Sequence, residues 1–275
     1  MIRQPFIVRA PRPPFNVQLG IPMGRRANVA WSVPGALQLA IDDAVPQWWY
    51  NYHFTADGII NPVGTSFLPM FFSTAQVTDS NIITACNEAG QNGWILFLNE
   101  PDLDGQTVAN AITAWNTLTT HPMVIARNIQ FVGPAPTDVI GPGGTSQWLA
   151  DWIAGISNPP LVLGRHAYTS TAGIFTALSL YGRYYQMNPY WLAPYRFWLT
   201  EFGPGVDGGV ASNQAFMQTI YDFLVGHTFR VDRLAWYFGG PKDINASAYP
   251  WRAEYNNDGT PTALGTYWNA LAITP

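Results

Sequence analysis

The sequence predicts a single domain of the α/β class, a (β/α)8 TIM barrel. Three observations carry this: eight short apolar runs, amphipathic stretches between many of them, and a length of 275 residues that suits one barrel core. The runs are 28–31 (NVAW), 45–50 (VPQWWY), 66–72 (SFLPMFF), 93–98 (GWILFL), 128–133 (NIQFVG), 160–166 (PLVLGRH), 196–202 (RFWLTEF) and 233–238 (RLAWYF). Continuous apolar strands alternating with helices imply a parallel sheet covered on both faces. Closing eight such units into a barrel removes the exposed edges that an open sheet would have to protect.

The clearest helical stretches are 107–120, 146–156, 174–187 and 212–227, with Ser146 and Ser212 as expected N-caps. Residues 1–20 carry scattered Arg and Pro and read as an N-terminal Pro-rich arm, as does the GPGGT loop at 141–145 as coil. The barrel is therefore expected over 21–275. No internal repeat divides it.

Charged residues make up only 11% of the chain, against about 25% in an average domain, whereas aromatics reach 15% with twelve Trp. Such rings either fill a core or stack on the apolar faces of sugars, and composition does not separate the two uses. The net charge is −4 and no basic run occurs, so a nucleic-acid partner is excluded. The single Cys86 forms no internal disulfide, and no CxxC or HExxH spacing marks a metal site. The first twenty residues lack the apolar run of a signal peptide, and no segment is long enough for a membrane span. A soluble protein acting as a monomer is expected, exported only if its start is trimmed, and otherwise cytoplasmic.

Two strands end on a carboxylic acid. The stretch WILFLNEPDLDG, Trp94 to Gly105, places Glu100 just past the fourth strand, and FWLTEFG, Phe197 to Gly203, places Glu201 at the end of the seventh. Only four Glu exist in the chain, Glu88, Glu100, Glu201 and Glu254, and two of them hold this position. In a (β/α)8 barrel the C-terminal strand ends converge on the active site, so these two acids are expected to face one another across the mouth. Paired carboxylates are the equipment for glycoside hydrolysis: about 5 to 5.5 Å apart they retain the anomeric configuration, and about 6.5 to 9.5 Å apart they invert it. Asn99, beside the first acid, is placed to hydrogen-bond a sugar 2-hydroxyl.

Weaker candidates surround the pair. His166 and Tyr168 end the sixth strand and could donate hydrogen bonds that keep Glu201 ionised. Tyr50, Asn51 and His53 follow the second strand and could bind sugar hydroxyls, and Trp236 could form a floor under the sugar, although its composition alone makes it core. Asp102 and Asp104 read as loop or cap residues.

The motifs LNEPD and WLTEFG resemble the acid/base and nucleophile motifs of clan A retaining glycoside hydrolases. Together with WWYNYHF (48–54), SFLPMFF (66–72) and GRHAY (164–168), they are similar, more narrowly, to glycoside hydrolase family 128, whose members are β-1,3-glucanases. The resemblance runs from Asn28 to Trp268. It implies Glu100 as general acid/base, Glu201 as nucleophile and Asn99 as the 2-hydroxyl partner, in a retaining, endo-acting hydrolysis of β-1,3-glucan. The chain departs from the family pattern at Phe71 and Phe72, where a Trp follows the Met, and at Ala167, where a Trp stands between His and Tyr. Both departures remove a large ring from the neighbourhood of the mouth. A clan A enzyme for β-1,4-glucan, mannan or xylan, and a carbohydrate-binding barrel without catalysis, stay open as alternatives. No metal or organic cofactor is expected, and the expected partner is a β-glucan polysaccharide or oligosaccharide.

Overall fold

The computed structural model describes residues 18–23, 35–137, 147–169, 195–204, 208–226, 231–239 and 252–273. Within them nine strands form one sheet: β1 Gln18–Pro22, β2 Trp48–Tyr50, β3 Ser66–Phe67, β4 Met70–Phe71, β5 Trp94–Phe97, β6 Gln130–Gly133, β7 Val162–Thr169, β8 Arg196–Pro204 and β9 Val231–Trp236. The strand order is β3-β2-β1-β9-β8-β7-β6-β5-β4, and every neighbouring pair is parallel. Helices fill the connections: α1 Ala36–Ala44, α2 Asp79–Ala89, α3 Val108–Thr119, α4 Pro122–Ala126, α5 Gln147–Gly155, α6 Gly209–Gly226 and α7 Ala263–Ile273. Thr78 and Thr107 cap α2 and α3, each side chain accepting from a backbone N–H three residues on.

The two strands at the ends of the sheet order are adjacent in the chain. Only Leu68 and Pro69 separate β3 from β4; Leu68 donates its N–H to Trp49 on the β2 side, and Pro69 accepts from Leu96 on the β5 side. The expected third strand, 66–72, is thus broken at a proline that has no N–H to give. The first strand also differs from expectation. Gln18–Pro22 pairs with both β2 and β9 inside the segment read as an arm, while 28–31, expected as a strand, lies outside the described residues. The helix expected at 174–187 and the cap Ser146 lie outside them as well. Ser212 stands within α6, which begins at Gly209, and so does not cap it.

Each face of the sheet has its own core. On the convex face Trp49, Phe97, Leu199, Phe202 and Trp236 pack against Trp115, Trp152, Phe216 and Trp268 of the helices. On the concave face Trp48, Tyr50, Met70, Leu96, Val132, Val162 and Trp198 fill the interior. Among the described residues seven of nine Trp are fully buried, so these rings largely serve packing. Gly20 shows how tight the interior is: a Cβ there would lie 2.1 Å from the ring of Trp48, its cross-strand partner. Lower in the same interior the Arg233 guanidinium lies 4.0 Å from the Trp198 ring centre, and burial brings its pKa down to about 10. No helix among the described residues is long and apolar enough to cross a membrane.

Candidate active site

Period-two alternation alone would not bring Glu201 to the concave face. Along β8, Phe197 and Leu199 face the convex core and Trp198 faces the interior, so the parity of Glu201 should turn it outward. The register with β7 pairs Leu199 with Arg165 and then Glu201 with His166, leaving Thr200 as an extra residue. This bulge reverses the parity, and Glu201 points inward while Phe202 returns to the convex core. Tyr50 secures it from across the interior, its hydroxyl donating to the Thr200 carbonyl at 2.7 Å.

Glu100 is delivered by a different device. Beyond β5, Leu98 and Glu100 have φ of 58° and 40°, in the left-handed region that costs a residue with a side chain of the order of 1 to 3 kcal/mol. The backbone there is held by bonds from Leu98 to Phe71 and from Glu100 to Ala135. Leu98 turns into the convex core, and Asn99 and Glu100 are left at the C-terminal rim of the sheet. Asn99 is buried, and its Oδ1 accepts no hydrogen bond. Asp102 accepts from the N–H and hydroxyl of Thr137, which ties the loop after Glu100 to the loop after β6.

The two acids meet over one imidazole. His166, fully buried on β7, has Nδ1 2.8 Å from Glu100 Oε1 and Nε2 3.4 Å from Glu201 Oε1. The Tyr52 hydroxyl donates to Glu201 Oε1 at 3.0 Å, and the Tyr168 hydroxyl donates to Oε2. Ligand-type atoms of Glu100, His166 and Glu201 lie within 4.8 Å of one another. A divalent ion would find three donors here, of which His166 Nδ1 and Glu100 are joined by a hydrogen bond while His166 Nε2 makes none. Glu100 keeps 28% of its side chain exposed and Glu201 only 5%, so one acid can exchange protons with solvent and the other is enclosed.

The electrostatics follow from that enclosure. Burial raises the pKa of Glu201, and the Glu100 charge adds to it; His166 and the Tyr168 and Tyr52 hydroxyls pull the other way without cancelling it. For His166, burial lowers the pKa, yet the charges of both glutamates and the hydrogen bond to Glu100 outweigh it, and the net direction is upward. Burial beside Glu201 also pushes the Tyr52 and Tyr168 phenols well above their ordinary value, so both stay protonated donors.

Glu100, Glu201, His166, Tyr168 and Asn99 thus gather at one place. Three other sequence candidates are turned to different tasks. Tyr50 is fully buried with its hydroxyl spent on Thr200, so it supports the bulge and offers no surface to a sugar. Asn51 is also fully buried, and its amide donates to Thr55 and Asp57 within its own loop. Trp236 lies on the convex face at right angles to Phe202, its indole N–H donating to the Arg252 carbonyl. His53 is half-buried, with its ring on Phe54 and Nδ1 3.0 Å from Thr55 Oγ1. Two residues at the site escaped sequence reasoning: Tyr52, and Tyr237, whose ring meets Tyr168 edge to face at 5.7 Å. The spacing of Trp48, Tyr50 and Tyr52 along one face was the available signal.

Residues 30–268 match the model of the family described as glycosyl hydrolase catalytic core, and the chain belongs to that family. Among solved structures it is similar to a family 128 (subgroup I) endo-β-1,3-glucanase from Amycolatopsis mediterranei in complex with laminaritriose, at 22% identity and a TM-score of 0.71, over 93% of this chain and 100% of that one. It is also similar to the subgroup II endo-β-1,3-glucanase of Sorangium cellulosum, at 20% identity and TM-score 0.71, over 92% and 98% of the two chains. A subgroup VI exo-β-1,3-glucanase from Aureobasidium namibiae follows at 16% identity and TM-score 0.70, over 92% and 95%. No curated protein sequence matches the chain.

Proposed function

We propose that this glycosyl hydrolase is a retaining endo-β-1,3-glucanase of glycoside hydrolase family 128, working as a single copy through Glu100 and Glu201. The observation that carries the chemistry is the closeness of the two acids: one carboxylate oxygen of each lies within 4.8 Å of the other's, in keeping with the about 5 to 5.5 Å between the carboxyl groups of retaining enzymes. The substrate class is supported by the solved relatives, glucanases that act on β-1,3 linkages, one of them holding a laminari-oligosaccharide. The sheet is read as a closed (β/α)8 TIM barrel in which β3 and β4 are two halves of one strand joined through Leu68 and Pro69.

Glu100, open to solvent, protonates the leaving oxygen while Glu201 attacks the anomeric carbon and forms a glycosyl ester. Glu100 then takes a proton from the incoming water, which cleaves the ester with overall retention. His166 lies between the acids and stabilises whichever one is ionised. The phenols of Tyr52 and Tyr168 hold Glu201 in line for attack and favour its charged form against the cost of burial. Asn99 keeps an unspent acceptor for a sugar hydroxyl.

Digestion of laminarin, curdlan, mixed-linkage glucan, carboxymethyl-cellulose, mannan and xylan tests the assignment. Oligosaccharides from laminarin and curdlan alone are expected, with Glu201→Ala inactive. Cleavage of another polymer would move the substrate while leaving the chemistry. Binding without cleavage by the unmodified protein would turn the reading to a carbohydrate-binding module.

A further inference from the structure

One buried cation at the rim plays no part in the chemistry above. Arg252 is only 3% exposed in a chain with thirteen Lys and Arg together, and its guanidinium carbon lies 4.9 Å from the centre of the Tyr168 ring. Tyr168 in turn donates its hydroxyl to Glu201. Its ring is therefore held by Arg252 and by the Tyr237 ring packed against it edge to face. Two further contacts fix Arg252 in place. Its carbonyl accepts the Trp236 indole N–H at 2.9 Å, and its side chain passes over Gly203, where a Cβ would lie 3.5 Å from Arg252 Cδ and 3.3 Å from the Tyr237 carbonyl.

We propose that Arg252 is a positioning residue that acts through Tyr168 on Glu201, fixing the phenol plane and placing a permanent positive charge behind the hydroxyl that holds the carboxylate. This deepens the retaining-glycosidase assignment and rests on it. A guanidinium stays charged throughout the working range and presents a flat face to the ring, which an ammonium does not. Positive charge behind the phenol makes its O–H the stronger donor and favours an ionised Glu201; the same charge partly offsets the rise that burial and Glu201 impose on Tyr168. Among the described residues, the other titratable groups that act on this pair are Tyr50 and Tyr52 from β2 and the loop after it, Glu100 beyond β5, His166 on β7, and Tyr237 after β9.

The test is the pH profile of kcat/KM on laminarin for Arg252→Met, Arg252→Lys, Tyr168→Phe and the Met/Phe double variant, each checked for folding by circular dichroism. Arg252→Met is expected to lose about tenfold or more, the worth of one charge-assisted hydrogen bond, with its acid limb moved to higher pH. Arg252→Lys should restore part of both. In the Tyr168→Phe background the Met substitution should add nothing further. An acid limb left in place, or a full additional loss in the double variant, would overturn the assignment. Should the Met variant fail to fold, Arg252→Lys carries the same reading, since loss of the flat guanidinium alone is then expected to shift the limb, and no shift overturns it. A silent unmodified enzyme would instead bring down the glycosidase assignment itself.

Discussion

Glu201 is an acid enclosed by the groups that make it useful. Its raised pKa means the folded protein holds the Glu201 proton more firmly than the unfolded chain does, so its contribution to stability is present in full below the ordinary carboxylate pKa and is lost as pH rises through the raised one. Glu201→Gln removes the charge that burial penalises, and its melting temperature is expected to exceed that of the unmodified protein at pH 7, with the gap closing towards pH 4. Calorimetry at the two pH values checks this; an equal or lower melting temperature at pH 7 would contradict it. Tyr52 tests the opposing forces. Its hydroxyl is one of two phenols holding the carboxylate, and hydrogen bonds to charged groups contribute about 1.5 to 3 kcal/mol. Tyr52→Phe should therefore cost roughly tenfold to a hundredfold in kcat/KM and shift its acid limb upward, read from initial rates across pH.

At the scale of elements, the site depends on departures from regular strands. A bulge at Thr200 turns Glu201 inward, and left-handed residues at Leu98 and Glu100 deliver the other acid. Apolar runs ending in carboxylic acids made Glu100 and Glu201 legible in the sequence, because hydrophobic continuity marks a strand whatever its parity. Parity was the hidden variable. Tyr50 and Tyr52 share one face, yet only the second reaches the rim; Trp236 points to the helices while Tyr237, one residue on, stands beside Tyr168. No local pattern announces a one-residue bulge. The strand at Gln18–Pro22 was obscured by the prolines and arginines before it, whereas its pairing with β2 and β9 is a long-range fact. Gly20 on that strand gives the element its test. Gly20→Ala drives a methyl group into the Trp48 ring, and overpacking of this kind costs about 1 to 3 kcal/mol. A fall of about 2 to 4 °C in melting temperature per kcal/mol is expected, and unchanged thermal unfolding would contradict the packing described.

The whole molecule separates its two tasks by face and by end. The convex core joins sheet to helices, the concave core fills the interior, and the polar residues that break both patterns collect at the C-terminal rim, where Glu100, His166, Glu201, Tyr52 and Tyr168 meet. Arg233, half-buried over Trp198 in the same interior, shows an aromatic face receiving a charge away from the rim. Both acids belong to one chain, so activity per molecule should not change with dilution. In the proposed mechanism two glutamates run a double displacement, and proton NMR of the first products released from laminarin reads its stereochemical outcome. The β-anomer is expected first, with the α-anomer growing in only by mutarotation; α-anomer at the earliest time would contradict the assigned mechanism.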